Sequence, residues 1–475
     1  MLEIDFMQKI VVGLLSLFFL ACQKDKEVLT YFGGGIVHPK DDYVILMQNN
    51  EILDSIKVDQ NGHFEYRFKL DKPGLFTFRH AYEPQILYLE PQDSIKLRLN
   101  TLQFDESLVF AGKSAIENNF LIENYLLNQK NSDLILSYYK ISPNNFQFKT
   151  DSIKKARQDK LKFLDQKYDF SDAFIEIAEK SIAYEFFDMR ERYAFLLNKY
   201  NHKKAKSISD DFFSYRKKID FDDEVALNLI GYQRFLDNYL KNQSIKLCKQ
   251  KKQNVDCYDL NTYSNLDNRI HIVDSLIQNK YLRKRFFERF IQEEIIYAQA
   301  PKHLKHTSDF IETFDFSAKE KQHLQSLVNF QSSLLVNANL KHVKIKSLDF
   351  KSHELEDVMK KNLSVIYSWS IQSPSHHKLR IEKIEELKKD YPNIQFIGIN
   401  IDYDFPNKWL DAVNKFDDNI NNEFLIVPEK NATFYSNYLN KVFFLDKDCN
   451  IKKSEIILTN EDFDKHIKDF IASTN

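Results

Sequence analysis

The spacing of apolar residues changes twice along this chain of 475 residues, and no single sheet or bundle satisfies all three patterns. From Val28 to about Gly112 the period is two. Runs such as EILDSIKVD, HFEYRFKL, QILYLE, DSIKLRL and ESLVFAG are rich in Val, Ile, Phe and Tyr, and Asn61-Gly62 and Pro73-Gly74 punctuate them. Short strands with such turns predict an antiparallel β-sandwich or barrel. Gly33-Gly34-Gly35 opens no helix, so it reads as a strand start or bulge rather than a phosphate loop. From about Ser114 to Leu335 the helical period takes over. Ser171 is placed to cap a helix whose stripe is Ile175, Ala178, Ile182, Phe186, Met189 and Tyr193. DDEVALNLIGYQRFLDNYL and RKRFFERFIQEEIIYA carry comparable stripes, and the charges between them read as solvated faces. From about Lys341 the pattern alternates. VKIKSL, LSVIYSW, IQFIGINID, EFLIV, KVFFLD and IKKSEIIL read as strands, with helices at 354–361, 375–390, 408–415 and 461–472. Apolar strands separated by helices imply parallel pairs. The expectation is a multidomain α+β protein with an N-terminal β-sandwich over 28–112. A central α-helical region over 113–335 and an α/β domain over 341–475 follow.

A formal charge of −2 and a pI near 6.7 provide no basic face, so nucleic acid is not an expected partner. The 40 Phe and 24 Tyr beside only 9 Gly read as compositional bias, with the rings in the core.

Residues 10–21, IVVGLLSLFFLA, form an apolar run too short to span a bilayer and of the length of a signal-peptide core. The tetrad FLAC that ends it resembles the lipobox of bacterial lipoproteins, with Phe19 where leucine is usual. That resemblance implies a signal peptide over 1–22, cleavage after Ala21, and acylation of Cys22. Glu3 and Asp5 suit a positive leader poorly, so Met7-Gln8-Lys9 reads as the better start. QKDKE at 23–27 resembles a signal for export to the outer leaflet, with Lys26 where a second acid is usual. The expected location is the outer membrane, the cell surface being favoured over the periplasmic face, with the membrane engaged through lipid on Cys22.

The strand into Trp369, then FIGINID before the Trp409 helix, then FFLDKD, resemble the thioredoxin fold of the TlpA-like family. YLEPQDSIKLRLN and FAGKSAIENNFLIENYL resemble the front parts of lipid-anchored members. The resemblance implies a Cys-x-x-Cys pair where the helix begins. Laying Trp369 on the family's tryptophan puts Ser373 and His376 at the two cysteine positions and Asn440 at the cis-proline. A serine hydroxyl has no accessible anion near neutral pH and forms no mixed disulfide. The domain is therefore expected to be redox-inactive and to bind a protein, peptide or other ligand, with no cofactor. The alternative is a TlpA-type thiol-disulfide oxidoreductase using a non-standard cysteine, and Cys449 is the one left in this region.

Ser373 and His376 could approach on a first helical turn, but hydrolysis also needs an orienting acid and an oxyanion hole, and Ser373 or Ser375 is better read as a helix cap. His376 and His377 point about 100° apart on a helix and have no third ligand, so no metal is expected there. Cys248 and Cys257 flank a lysine-rich loop. Export permits a disulfide between them, worth about 2–3 kcal/mol, and the spacing does not require one. Asp54-Ser55-Ile56, Asp93-Ser94-Ile95, Asp151-Ser152-Ile153 and Asp274-Ser275-Leu276 resemble a periplasmic O-glycosylation motif, although Asp-Ser is also an ordinary turn pair.

Overall fold

Alternation builds the first strands: in SIKLRLN, Ile95, Leu97 and Leu99 are buried while Ser94, Lys96 and Arg98 face water. In the computed structural model the described residues are 29–49, 51–138, 140–251, 256–372, 374–416, 422–427, 437, 439, 441–458 and 462–474. Cys22, Ser373 and Asn440 lie outside them. Contacts divide the chain into two units, Met1–Asn242 and Gln243–Asn475, and the division falls within the helix Ile230–Gln250.

The first unit holds β1 (Thr30–Val37), β2 (Tyr43–Gln48), β3 (Glu51–Lys57), β4 (His63–Phe68), β5 (Gly74–His80), β6 (Glu83–Leu89), β7 (Ser94–Asn100) and β8 (Val109–Gly112). They form two four-stranded sheets, β4-β1-β7-β8 and β3-β2-β5-β6. Phe32, Ile95 and Leu97 of one sheet and Val44, Phe78 and Leu87 of the other belong to a single hydrophobic cluster. The glycine triplet departs from expectation. It is neither a strand start nor a bulge but the middle of β1, flanked by β4 and β7. A Cβ on Gly34 would lie 2.2 Å from the Leu97 carbonyl oxygen, so the backbones approach more closely than a side chain allows. The β1–β7 pair is parallel, the exception in sheets expected to be antiparallel. The intervening strands β2 to β6 give the chain the length to return in the same direction.

Helices Ala115–Tyr138, Pro143–Tyr168 and Asp172–Tyr200 follow. Ser171 caps the third, its Oγ accepting from Phe174 N at 3.2 Å. Ala178, Ile182, Phe186, Met189 and Tyr193 are buried as the stripe requires, and Ile175 is half-buried. Two expectations need correction. The stripe beginning at Asp222 does not start a helix until Ile230. Asp223 is held instead by Lys180 Nζ at 2.7 Å and Tyr184 OH at 3.1 Å, and its backbone forms a turn to Ala226. Nor are all the charges solvated. Glu185, Asp188 and Glu191, three residues apart and so on one helix face, are each 1% exposed or less. Each meets an arginine: Glu185 pairs with Arg234, Asp188 with Arg192 at 2.9 Å, and Glu191 with Arg216 through bonds of 2.8 and 2.6 Å. Asn238 and Asn242 add bonds of 2.6 Å to Asp188 and Glu191. Arginine pairing is what lets these acids leave water.

The second unit contains helices Tyr263–Leu276, Lys280–Ile296, Pro301–Thr313 and Ala318–Ser332. Thr262 and Asn279 cap the first two, and Ser317 with Glu320 forms a reciprocal capping box on the fourth. The strands β9 (Lys344–Lys346), β10 (Ser352–Glu354), β11 (Ser364–Trp369), β12 (Gln395–Asn400), β13 (Glu423–Ile426), β14 (Lys441–Leu445) and β15 (Ile451–Ile457) form one sheet. Its order is β10-β9-β13-β12-β11-β14-β15. The strands β11, β12 and β13 are parallel, and the remaining pairs are antiparallel. Helices Pro374–Asp390 and Pro406–Phe416 stand between the parallel strands in sequence, and Phe463–Thr474 follows β15. Trp369, Trp409, Phe396, Phe444 and Phe470 share the core. Among the described residues, no helix is long and apolar enough to cross a membrane.

Candidate functional site

The region that follows Trp369 is organised from beneath by two carboxylates. In register, Tyr367 of β11 faces Gly398 of β12, which faces Glu423 of β13. Gly398 has no side chain, so the Glu423 carboxylate lies across it. A Cβ at Gly398 would stand 2.2 and 2.3 Å from the two carboxylate oxygens. From there Glu423 accepts bonds from Tyr367 OH at 2.5 Å and Trp369 Nε1 at 2.8 Å. Glu423 is 3% exposed and Trp369 fully buried, so the last residue of β11 is fixed by both packing and a charged acceptor.

The second carboxylate is Asp402, just beyond β12. Its Oδ1 accepts from Ser370 Oγ at 2.9 Å, and its Oδ2 from Ile371 N at 2.7 Å and Asn400 Nδ2 at 3.1 Å. The Ser370 hydroxyl in turn accepts from Gln372 N at 3.1 Å. The turn leaving β11 is thus held to the end of β12 by backbone and side-chain bonds to one acid. Arg380, on the helix that follows, donates to the Ser368 carbonyl at 2.7 Å, and burial holds its guanidinium below the ordinary value.

That helix begins at Pro374, so Ser375 lies inside it. Ser373 and Asn440 are outside the described residues. For His376 only the backbone is described, within this helix.

The cysteines are placed as follows. Cys248, near the end of the helix Ile230–Gln250, is joined to Cys257 by a disulfide with Cα atoms 5.7 Å apart. Cys449 is free and 2% exposed, in the turn after β14, with its Sγ 3.5 Å from Met359 Sδ. Burial and the neighbouring acids Glu356, Asp446 and Asp448 push its thiol up to about 11. Cys22 lies outside the described residues.

Two cavities accompany these features, one in each unit. On the outer face of β4, β1 and β7, a trough lies over Gly35, which has no side chain to fill it. Its cavity of about 730 Å³ is lined by Tyr31, Gly35, His63, Glu65, Lys96 and Arg98 among others. In the second unit a cavity of about 460 Å³ is lined by apolar residues including Phe330, Leu340, Ile366, Ile399, Ile426 and Phe443. The serines of the four Asp-Ser motifs, Ser55, Ser94, Ser152 and Ser275, are all exposed.

Glu423 and Asp402 were not singled out by sequence reasoning. Two signals were available: a glycine inside an apolar strand (FIGIN), and an acid opening another strand (EFLI). Together they mark a close approach across a sheet.

No family model matches the chain, and no curated protein matches it. Solved structures resemble part of it. A thiol-disulfide oxidoreductase from Bacteroides fragilis is 15% identical, covering 28% of this chain and 98% of its own, with a TM-score of 0.23. The thioredoxin domain of a thiol-disulfide oxidoreductase from Bacteroides vulgatus is 16% identical over 30% of this chain and 100% of its own, TM-score 0.23. A SCO1/SenC family lipoprotein from Bacillus anthracis is 15% identical over 29% of this chain and 95% of its own, TM-score 0.24.

Proposed function

We propose that this is an exported, lipid-anchored protein of the cell envelope whose 341–475 region is a thioredoxin-like domain that binds rather than exchanges thiols. In the same reading, 28–112 is a β-sandwich and 113–335 the helical connection between the two. The arrangement of β12, β11, β14 and β15 supports the fold assignment. Two parallel strands lie at the centre, followed by an antiparallel strand and its hairpin partner. The placement of the cysteines carries the functional reading. A redox site needs an accessible thiolate at a helix start. In the described part of the 341–475 region the cysteine is Cys449, buried, with its thiol raised to about 11 and in a turn rather than at a helix N-terminus. Cys248 and Cys257 bond to each other. The Glu423 and Asp402 networks then serve to hold the β11 turn as a rigid binding rim. The trough over Gly35 is the contact surface we assign to the first unit, for a protein or peptide ligand. Anchoring rests on acylation of Cys22, with the outer leaflet as destination.

Insulin reduction tests the central claim. The wild-type protein is expected to give no dithiol-dependent turnover. A variant carrying S373C and H376C is expected to form a reducible pair, because the helix start that activates such thiols is retained. Wild-type turnover that persists in Cys449→Ser would overturn the reading.

A further inference from the structure

Three consecutive helices of the second unit each bring one metal-ligating side chain to a common point. Asp267 comes from Tyr263–Leu276, Glu294 from Lys280–Ile296 and His306 from Pro301–Thr313. One oxygen of each carboxylate and one ring nitrogen of the histidine lie within 4.8 Å of one another. Their depths differ. Glu294 is 2% exposed, Asp267 is half-buried and His306 faces solvent, so the set is a pocket with an acidic floor and an imidazole at its rim.

A second layer holds the three in place. Thr307 Oγ1 bonds to Glu294 Oε1 at 3.0 Å, and Tyr263 OH reaches both the Glu294 carboxyl and His306 Nδ1, the latter at 2.7 Å. The Tyr263 ring stacks on His303 with centroids 4.1 Å apart, which fixes the phenol from its other side. His271, one turn along the same helix, stands 3.5 Å from Asp267. Such outer partners orient ligands in metal sites. The charge acting on Glu294 is itself negative, from Asp267, and its hydrogen-bonding neighbours are hydroxyls. Among the described residues no lysine or arginine pairs with Glu294. This contrasts with Glu185, Asp188 and Glu191, where an arginine meets every acid.

We infer that Asp267, Glu294 and His306 form a binding site for one first-row divalent cation, with Zn2+ the best match to the ligand types. An imidazole suits Zn2+, and the two carboxylates supply the charge that neutralises it. Bonds of about 2.0–2.2 Å require the ligand atoms to draw to about 3.3 Å of one another on a tetrahedral ion. The exposed His306 and half-buried Asp267 have room to make that adjustment, while Glu294 stays fixed. Solvent at the rim completes the coordination. The bound ion ties three successive helices together at one point.

The test uses the full chain, stripped with EDTA, dialysed and titrated with Zn2+ by calorimetry. One equivalent is expected to bind and to raise the melting temperature. His306→Ala removes a solvent-facing ligand, and its circular dichroism is expected to match wild type. Its Zn2+ affinity should fall by at least about 100-fold, beyond the loss typical of an outer-shell partner. Glu294→Gln is expected to abolish binding. With Co2+ as the probe, the visible absorption of a low-symmetry site should appear in wild type and be absent from His306→Ala. A wild-type protein that takes up neither ion would overturn the inference. So would a folded His306→Ala protein that binds as tightly as wild type, since the ion would then lie elsewhere, for instance at His342, Glu354 and Glu356.

Discussion

Replacing Gly398 with alanine adds one methyl group and should strongly destabilise the second unit. The new Cβ would sit 2.2 and 2.3 Å from the Glu423 carboxylate oxygens and 2.5 Å from its carbon, distances no real Cβ tolerates. A carboxylate at the end of a free side chain would swing away at little cost. Here it is buried and accepts bonds from Tyr367 and Trp369, so displacing it breaks both. Hydrogen bonds to a charged group contribute about 1.5–3 kcal/mol each, which puts the loss at about 3 kcal/mol or more. The assay is urea unfolding followed by tryptophan fluorescence. The chain's two tryptophans, Trp369 and Trp409, are both fully buried and both in this unit. With a denaturant slope of about 2 kcal/mol/M, the midpoint should fall by about 1.5 M. Glu423→Ala provides the control: in that background Gly398→Ala should cost less than about 1 kcal/mol, because nothing is left to displace. A small shift in the wild-type background, or an equal one in both, would show that the glycine is not there to make room for the carboxylate.

Cys22→Ser should release the protein from membranes, since acylation is the anchoring feature assigned to the chain; a wild type that takes up no fatty-acid analogue in cells would rule this out. Replacing Cys248 and Cys257 together by serine should lower stability by about 2–3 kcal/mol, read as a shift in thermal or urea midpoint, and no shift would mean the short loop is constrained without the bond. Burial pushes the Asp188 carboxyl up to about 6, against attraction from Arg192 and Arg234. A raised acid contributes stability that is fully present below its ordinary value near 3.8 and is lost as pH rises through about 6. The difference in unfolding midpoint between wild type and Asp188→Asn should therefore decline between pH 4 and pH 6.5, and two parallel pH profiles would contradict that placement. Ser171→Ala should cost about 1 kcal/mol through loss of the cap on Phe174 N, measurable by thermal unfolding.

Much of the architecture was legible because it follows from periodicity. IQFIGINID, KVFFLD and the Ser171 helix declare their faces locally, and each forms close to its expected bounds. Ser352–Glu354 escaped notice because a three-residue edge strand has no measurable period. The charges of the Asp172–Tyr200 helix were misread for a different reason. Alternating acids and arginines look alike whether solvent or a partner helix neutralises them, and the partners here, Arg216 and Arg234, are far away in sequence. The surroundings of the family-like site follow the same logic. Trp369 is visible in a motif, but its acceptor Glu423 lies 54 residues on and is connected to it only through sheet order. The absence of cysteine at Ser373 and His376 was plain from the letters alone, because it required no geometry.

The three buried acids of the Asp172–Tyr200 helix have a consequence for how uniquely it can dock. An apolar stripe of Ile182, Phe186, Met189 and Tyr193 is nearly interchangeable along its length, and a greasy groove would accept it rotated or displaced by a turn. Glu185, Asp188 and Glu191 are not interchangeable: Glu185 and Asp188 share Arg234 and Arg192, Asp188 adds Asn238, and Glu191 takes Arg216 with Tyr215 and Asn242. Slide the helix by one turn and at least one dehydrated carboxylate loses its arginine, at a cost of several kcal/mol. The acids act as the teeth of a key, admitting one alignment among the many that the oily surface alone would tolerate.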